Sequence, residues 1–282
     1  MDNMSNFVRE KLCFYSSMYQ GRSSTWEIVK TAERFGVAGV ELMNFSDELQ
    51  VPDMAVAKEV GAYMKSAGLV IPCFSAGINL VGEDRHEKIS NLKKYADICS
   101  ELEIPYLHHT VAFRFDVPGL PDSETVKRGL DASVEINEYA ERRGVRTIVE
   151  DQGFVFNGVE YYAPLMSAGK GKIGALLDVG NIMFVDERAE DFLAAYEKDI
   201  CHVHLKDYTI STAPHPTKTS YMTRGGSYLT DAEMGTGDVN FEKVRDGLRR
   251  MNYSGYYALE FSGVKDEDEV SRVISRMNAV FS

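Results

Sequence analysis

One unit recurs along this chain: an amphipathic helical stretch, then a glycine or a short polar break, then a short apolar run. Three examples are ERFGVAGVEL, ERRGVRTIVED and MNYSGYYALE. The glycine suits the left-handed backbone conformation that commonly ends a helix. A continuous apolar run after such a break is typical of a strand buried in a parallel sheet. The recurring unit therefore indicates an α/β fold in which helices and parallel strands alternate.

Eight strands are predicted, with helical stretches between them. Eight such alternations in 282 residues predict a (β/α)8 barrel, the TIM barrel, with residues 1–282 forming a single domain. A doubly wound open sheet is the alternative, but it accounts neither for the number of units nor for the lack of a GxGxxG motif. The predicted strands cover residues 11–16, 39–43, 70–75, 104–109, 146–150, 173–178, 200–206 and 256–260. The predicted helices cover residues 24–35, 54–67, 84–101, 123–143, 188–197, 241–251 and 267–281.

The longest predicted irregular segment, residues 208–240, follows the seventh strand. A loop of this length in a compact domain is usually functional. It would lie at the carboxyl ends of the strands, where barrel enzymes build their active sites. We therefore expect this segment to border the site.

Polar side chains end four consecutive predicted strands. The fifth strand ends TIVED, the sixth ALLDVGN, the seventh HVHLKD and the eighth YALEFSG. Because the carboxyl ends of barrel strands converge on one mouth, these strands would bring three carboxylates and one imidazole to a common centre. The residues are Glu150, Asp178, His204 and Glu260.

A divalent cation explains this grouping. Three carboxylates packed together without a cation would repel one another and resist ionisation. Any one of these residues alone is more often a capping or salt-bridging group at a strand end, but four on successive strands favour a shared metal ion. Oxygen-rich ligands with one nitrogen suit Mn²⁺, Mg²⁺ or Co²⁺, and Zn²⁺ is also compatible. We therefore predict one divalent metal ion at this mouth.

The seventh strand, in the stretch CHVHLKD, is unusually polar for a buried segment. Side chains alternate along a strand, so His202, His204 and Lys206 would share one face. Val203 and Leu205 would then lie on the other face. His202 is one strand step deeper than His204, and it would either orient a ligand or fill the barrel as a hydrogen-bonded core histidine.

Two further residues are predicted to face a substrate. Lys206 would hold a substrate oxygen or phosphate, and pairing of Lys206 with Asp207 is an equally good structural alternative. His108 and His109 end the fourth strand, and only one of them can face the pocket. We choose His108.

The composition excludes several classes of partner. The formal net charge is -12, from 43 acidic and 31 basic residues, which disfavours unassisted binding to nucleic acid or to an anionic membrane. No stretch approaches the roughly 20 consecutive apolar residues of a membrane span. The N-terminus has no basic region followed by an apolar one, so a cytoplasmic protein is expected. The four cysteines stand singly and are expected to be reduced core thiols.

Several motifs in combination resemble one family: GVAGVEL, IVED, LLDVGN, HVHLKD, MGTGDVNF and GYYALE. Over nearly its whole length the chain resembles the sugar phosphate isomerase/epimerase family of xylose-isomerase-like TIM barrels. That family includes D-tagatose and D-psicose 3-epimerases, hydroxypyruvate isomerase, inosose dehydratase and endonuclease IV. The resemblance implies that Glu150, Asp178, His204 and Glu260 bind one divalent metal ion. In the epimerase branch two glutamates also transfer the proton, which implies Glu150 and Glu260 as the acid/base pair here.

The resemblance also implies an activity, that of an isomerase or epimerase acting on a small-molecule sugar or sugar phosphate. Removing a proton beside a carbonyl gives an enediolate, whose negative charge a cation stabilises. One carboxylate takes the proton, and another on the opposite face, or the same one at the neighbouring carbon, returns it. Dimers and tetramers are frequent among relatives, so a homo-oligomer is an expectation by analogy only.

Two departures from the family pattern bear on substrate contacts. Asn181 stands where many relatives have a histidine, so the substrate contact of that histidine is not carried over unchanged. The 3-epimerases usually continue the seventh strand with a glycine and a glutamate, followed by a substrate-holding arginine, whereas this chain reads LKDY. The predicted substrate-contact residues are His108, Asn181, His202 and Lys206.

Three other functions stay open. A dehydratase acting on an inosose-like keto-polyol would use the same metal and the same first proton removal. An endonuclease like endonuclease IV needs extra histidines, including one at the position of Asn181, and the acidic balance argues against DNA. A non-catalytic sugar-binding barrel would be expected to lose some of the four ligands, and all four are present.

Overall fold

Eight parallel strands close into a barrel within the part of the chain that the structure describes. In this computed structural model that part comprises residues 6–16, 18, 24–112, 123–261, 263–264 and 266–282. The barrel strands are β1 Leu12–Tyr15, β2 Gly39–Met43, β3 Phe74–Ala76, β4 Tyr106–His109, β5 Arg146–Glu150, β6 Gly174–Asp178, β7 Ile200–Leu205 and β11 Tyr257–Leu259. Three further strands within these ranges belong to a separate sheet: β8 Tyr208–Ser211, β9 Tyr221–Met222 and β10 Tyr228–Asp231. Around the barrel the order is β1-β11-β7-β6-β5-β4-β3-β2, which confirms the predicted (β/α)8 architecture.

Helices pack around the outside of these strands. They are α1 Asn6–Lys11, α2 Thr25–Phe35, α3 Met54–Ser66, α4 Arg85–Glu101, α5 Ser123–Glu141, α6 Val159–Gly169, α7 Ala189–Tyr196, α8 Phe241–Arg250 and α9 Glu267–Phe281, with a short 3-10 helix at Asn181–Val185. Helices α1 and α6 are missing from the sequence prediction. Pro164 lies inside α6, and a proline at such a position usually ends a helix. None of the helices in the described ranges is long and apolar enough to span a lipid bilayer.

Two glycines show why the recurring unit breaks where it does. Gly36 follows α2 with a φ of 61°, and its N–H donates to the carbonyl of Glu33. Gly144, between α5 and β5, has a φ of 74°. A residue with a side chain adopts this left-handed region only at a cost, so glycine is the natural helix stop. The predicted role of these glycines is confirmed.

Side chains alternate across the barrel wall at β7. Val203 and Leu205 join the large apolar core between the strands and the helices. His202 and His204 point into the barrel, where both contact Glu41 of β2. The predicted two-residue alternation is therefore confirmed. The four cysteines are free and buried, as expected for reduced core thiols.

The segment after β7 carries regular structure that the sequence does not predict. Strands β8, β9 and β10 form a small antiparallel sheet in the order β8-β10-β9. The prediction of an irregular segment over residues 208–240 is wrong for these strands. They are only two to four residues long and are separated by polar turns, so they carry too little hydrophobic periodicity to be recognised.

Candidate metal centre

Four side chains converge at the carboxyl ends of the barrel strands. Glu150 is the last residue of β5, Asp178 is the last of β6, His204 lies near the end of β7, and Glu260 directly follows β11. One candidate ligand atom from each residue lies within 4.8 Å of those from the other three. These are the four residues chosen from the strand ends, and they meet because the parallel strands of a barrel end at one mouth.

His204 presents its Nδ1 atom to the carboxylates. Nδ1 lies 3.1 Å from Oε2 of Glu260 and 3.3 Å from Oε1 of Glu150. The Nε2 atom lies 3.0 and 3.1 Å from the two carboxylate oxygens of Glu41. Because an ionised carboxylate only accepts hydrogen bonds, Nε2–H donates to Glu41. Nδ1 is the nitrogen on the side of Glu150 and Glu260, so it is the atom that would give up its proton to bind a metal ion.

Asp178 has one satisfied carboxylate oxygen and one free one. Oδ1 accepts the backbone N–H groups of Gly180 at 2.8 Å and Asn181 at 2.9 Å. Oδ2 is buried and has no hydrogen-bond partner among the described residues. Leaving such an atom unsatisfied costs free energy unless an ion or ligand binds it. This oxygen is the strongest local sign that the cluster fits a metal ion.

The cluster also carries excess negative charge. Burial, helped by the charge of Glu260, raises the pKa of Asp178 well above its ordinary value, and burial likewise raises the pKa of Glu150. Burial opposes a charge on His204, but the surrounding carboxylates, Glu41 foremost, outweigh it and raise the pKa of His204 well above its ordinary value. A divalent cation would relieve the same repulsion, so these residues fit such an ion.

Lys206 balances part of this charge. Its Nζ atom lies 2.5 Å from Oε1 of Glu260. Burial alone would raise the pKa of Glu260, but Lys206 and His204 outweigh it and hold the pKa below the ordinary range. The alternative pairing of Lys206 with Asp207 is wrong, because the Asp207 carboxylate binds backbone instead. It accepts the N–H groups of Gly235, Gly237 and Val239.

Asn181 contacts the cluster directly. It is the first residue of the 3-10 helix, and its Nδ2 atom donates to Oε1 of Glu150 at 3.2 Å. The backbone carbonyl of Asn181 in turn accepts a hydrogen bond from Nδ2 of Asn157 at 2.8 Å. Asn181 therefore positions Glu150, and its contact with a substrate stays a prediction.

The two histidines that end β4 have different surroundings. Nε2 of His108 lies 3.8 Å from Oε2 of Glu150, and Nδ1 lies 2.7 Å from Oγ of Ser75. Burial lowers the pKa of His108 to about 3, so its ring is neutral near pH 7. The Nδ1 atom of His109 instead lies 3.1 Å from the carbonyl of the next residue. The structure thus places His108 at the cluster, and its contact with a substrate stays a prediction.

Glu41 is the residue of this site that sequence reasoning missed. It is fully buried in β2 and accepts hydrogen bonds from Nε2 of His202 at 2.6 Å, from Nε2 of His204 and from Oγ of Ser75. A lone carboxylate within the apolar strand GVELM was the available signal. His202 thus supports the carboxylate that orients His204, which agrees with the orienting alternative, and its contact with a substrate stays a prediction.

A cavity of about 430 Å³ adjoins Glu260. Several of its walls come from the segment after β7, so that segment borders the cavity beside Glu260, and its role in the site stays a prediction. A cavity of this size next to convergent polar groups is typical of a small-molecule site. Its lining includes Asp207, Lys218, Thr219, Asp231, Glu260 and Phe261.

Fold and site together define a (β/α)8 barrel with an acidic, histidine-containing cluster at its carboxyl mouth. The family model for the xylose isomerase-like TIM barrel matches residues 29–279. The chain therefore belongs to the family of xylose isomerase-like TIM barrels.

Three known proteins are similar to this chain in sequence or in structure. An inosose dehydratase from Clostridium perfringens is 27% identical over 143 residues, so the match spans about half of each chain, 49% of this one and 46% of that one. The structure of D-psicose 3-epimerase with D-tagatose from Clostridium cellulolyticum H10 has a TM-score of 0.75 at 13% identity, covering 96% of this chain and 99% of that one. A xylose isomerase-like TIM barrel protein from Mycobacterium smegmatis in complex with magnesium has a TM-score of 0.73 at 12% identity, covering 99% and 100%. At these identities the structural likeness establishes the fold.

Proposed function

We propose that this protein is a divalent-metal-dependent isomerase or epimerase, acting on a sugar or sugar phosphate by proton transfer through an enediolate. The observation that carries this proposal is the convergence of three carboxylates and one histidine, with the unpaired Oδ2 atom of Asp178 among them. Membership of the xylose isomerase-like family supports an enzyme. The likeness to a D-psicose 3-epimerase supports chemistry beside a sugar carbonyl.

The donor set favours Mn²⁺, Mg²⁺ or Co²⁺ over Zn²⁺, because it offers three carboxylates and a single imidazole. The related barrel from Mycobacterium smegmatis was solved with magnesium and the similar IOLI protein with zinc, so the relatives support a divalent ion without choosing between the two. When bound, the ion supplies a Lewis acid that stabilises negative charge developing on the sugar oxygens. The residues that would hold it are Glu150, Asp178, His204 and Glu260.

Glu150 and Glu260 are the proposed acid/base pair. They flank Nδ1 of His204 at 3.3 and 3.1 Å, and they come from strands on either side of β7. Both carboxylates therefore adjoin the same position, so one can take the proton beside the carbonyl and the other, or the same one at the neighbouring carbon, can return it. The two carboxylates have different surroundings, because Lys206 and His204 lower the pKa of Glu260 against the effect of burial, whereas burial raises the pKa of Glu150.

A keto-polyol dehydratase is the second candidate. The similarity to the inosose dehydratase of Clostridium perfringens supports it. Its first step would be the same removal of a proton beside a carbonyl, by the same carboxylates. The two functions differ afterwards, because a dehydratase expels a neighbouring hydroxyl as water, whereas an isomerase or epimerase returns the proton to carbon.

Deuterium exchange followed by NMR in D2O separates these candidates. Protein loaded with Mg²⁺, and in parallel with Mn²⁺ that is removed before spectra are recorded, is incubated with ketoses, ketose phosphates and inososes. Deuterium at C1 indicates an aldose–ketose isomerase, deuterium at C3 indicates a 3-epimerase, and loss of a hydroxyl beside the exchanging carbon indicates a dehydratase. No exchange from protein shown to hold metal would contradict all three and favour a non-catalytic sugar-binding barrel.

We further expect a small-molecule sugar or polyol as the partner of this site, and neither nucleic acid nor a membrane surface, because of the acidic balance of the chain. The cytoplasmic location and the homo-oligomer also stay predictions. Cell fractionation tests the first, and light scattering on the purified protein tests the second.

A further inference from the structure

A buried chain of hydrogen bonds links Glu41 to His108 through Ser75. The Ser75 hydroxyl donates to Oε1 of Glu41, and its Oγ atom lies 2.7 Å from Nδ1 of His108. The three residues come from the adjacent strands β2, β3 and β4, and none is more than 1% exposed. Polar atoms buried to this degree must be satisfied within the protein or by a bound ligand.

The directions of these hydrogen bonds follow from Glu41. Its carboxylate also accepts hydrogen bonds from Nε2 of His202 at 2.6 Å and from Nε2 of His204 at 3.0 Å, so it acts as an ionised acceptor. The Ser75 hydroxyl has a single proton, and this proton goes to the carboxylate. Oγ of Ser75 must then accept from His108, so Nδ1 of His108 carries the ring proton. Because burial disfavours a second proton on this ring, Nε2 of His108 keeps its lone pair.

That lone pair has no partner within the described part of the chain. Nε2 of His108 is buried and makes no hydrogen bond to any residue that the structure describes. Oε2 of Glu150 is 3.8 Å away, which is too far for a hydrogen bond. A hydroxyl that donates its one proton to Nε2 of His108 would place its oxygen about 2.8 Å from that atom.

We propose that His108 binds substrate by accepting, at Nε2, a hydrogen bond from one hydroxyl of the sugar or polyol, and that Ser75 and Glu41 hold its ring in the tautomer that this contact requires. The proposal rests on the proposed function and deepens it, because it states which substrate group this part of the site recognises. A site built around a buried acceptor rejects a substrate that carries hydrogen or a keto oxygen in place of the hydroxyl. Ser75 and Glu41 are then positioning residues, since they act through His108.

The tautomer is measurable without turnover. In protein labelled with ¹⁵N-histidine and loaded with Mg²⁺, two-bond ¹H–¹⁵N correlations distinguish the protonated ring nitrogen from the unprotonated one. We expect the proton of His108 on Nδ1 in the wild type, and a mixed or reversed tautomer in Ser75→Ala. Ser133→Ala is the matched control, because Ser133 is also buried but donates to a backbone carbonyl within α5.

The wild-type spectrum alone decides this part of the proposal, so it does not depend on whether Ser75→Ala folds. A proton on Nε2 of His108, or a doubly protonated ring, overturns it. A change at Nε2 that shows direct binding of the metal to His108 overturns it as well, because the atom would then be a ligand of the ion and not a hydroxyl acceptor.

The hydroxyl contact is tested by combining a variant with substrate analogues. The probes are D-fructose and scyllo-inosose, each with a set of monodeoxy analogues that lack one hydroxyl in turn. His108→Phe keeps a ring but removes the acceptor, and it should weaken binding of the full probe roughly tenfold, with a smaller change in kcat. For the one analogue that lacks the recognised hydroxyl, wild type and His108→Phe should bind equally.

Equal weakening for every analogue overturns the hydroxyl contact. This result is distinct from failure of the proposed function, because binding by calorimetry needs no turnover. A probe that binds in this pattern but never exchanges deuterium would refute the isomerase proposal and leave the contact intact. A probe that His108→Phe binds as tightly as the wild type and turns over normally would refute the contact and leave the isomerase proposal intact.

Discussion

At the scale of single residues, Glu260 is held by two partners, Nζ of Lys206 at 2.5 Å and Nδ1 of His204 at 3.1 Å. Glu260→Gln removes the charge that both partners use. We expect turnover to fall by about 10²–10⁴-fold, the usual contribution of one general acid or base. The free energy of unfolding should also fall, by roughly 2 kcal/mol, because Lys206 loses its counter-ion while largely buried. Kinetics and urea unfolding measure the two effects.

Glu101→Gln is the control for that experiment, because Glu101 pairs with Lys58 on the exposed surface of the molecule. It should change neither turnover nor stability by much, since exposed ion pairs contribute little. Full activity of Glu260→Gln would remove Glu260 from the mechanism.

Asp178 should contribute more to metal binding than to the stability of the fold. Asp178→Ala removes the free Oδ2 atom and also the acceptor that holds two backbone N–H groups. We expect the purified variant to lose its bound divalent ion, measured by elemental analysis after dialysis against Mg²⁺ or Mn²⁺. Asp191→Ala, on the exposed side of α7, should keep the wild-type content. Full metal occupancy in Asp178→Ala would mean that the ligands are misplaced.

His109 should make stability depend on pH. Burial lowers the pKa of His109 to about 4 in the folded protein, whereas a histidine in an unfolded chain has a pKa near 6.5. Between these pH values the unfolded chain binds a proton that the folded chain does not, so stability falls as the pH falls. From pH 7 to pH 4 this one residue should lower the free energy of unfolding by roughly 3 kcal/mol.

Urea unfolding of His109→Asn measures this contribution. The variant should lose less stability than the wild type between pH 6.5 and pH 4, because groups that titrate in both proteins cancel. His86→Asn, at an exposed position of α4, should follow the wild-type curve. Parallel curves for wild type and His109→Asn would show that the ring is protonated in the fold or titrates like an exposed one.

At the scale of elements, β2 depends on a glycine at its first residue. A Cβ atom at Gly39 would lie 2.0 Å from the carbonyl oxygen of Val70, so a side chain there would push β2 away from the segment that precedes β3. Gly39→Ala should therefore cost about 1–3 kcal/mol of stability and also weaken metal binding, because Glu41 lies two residues further along β2. Urea unfolding and metal titration measure both effects.

Gly61→Ala is the matched comparison, because its added Cβ would meet only the side chain of Leu102, at 3.1 Å. Gly61 lies inside α3, where alanine is favoured over glycine by about 1 kcal/mol. We expect this variant to stay within about 1 kcal/mol of the wild type and to bind metal normally. A larger loss for Gly61→Ala than for Gly39→Ala would contradict the close approach of Val70 to β2.

Some of these elements can be predicted from the sequence and others cannot. The barrel strands and most of the helices follow from hydrophobic runs and left-handed glycines, which are local signals. Helix α6 is not predicted because Pro164 lowers the local helix propensity. In the folded protein, tertiary packing overrides that propensity. Strands β8 to β10 are not predicted because they are short and, among the described residues, form a small sheet separate from the barrel.

At the scale of the whole molecule, the site depends on contacts between residues far apart in sequence. The positions of Glu150, Asp178, His204 and Glu260 follow from where the strands end, so they can be chosen before a structure is known. Glu41 is 161 residues from His202 and gives no strand-end signal. Only closure of the barrel brings them together. The link from Glu41 to His108 crosses the neighbouring strands β2, β3 and β4, and it rests on side-chain contacts that the sequence does not show.

The metal should tie these distant strands together, so its removal should lower the stability of the whole barrel. An ion that binds only the folded chain stabilises it by about 2.7 kcal/mol when free metal is 100-fold above Kd. For a chain of this size, chelation by EDTA should then lower Tm by roughly 5–10 °C, and restored Mg²⁺ or Mn²⁺ should raise it again. Asp178→Ala should show no metal-dependent change in Tm, because the ion lacks its ligand. If saturating metal leaves the Tm of the wild type unchanged, the ion is not held by four strands. If Asp178→Ala shows the full shift in Tm, the ion binds elsewhere.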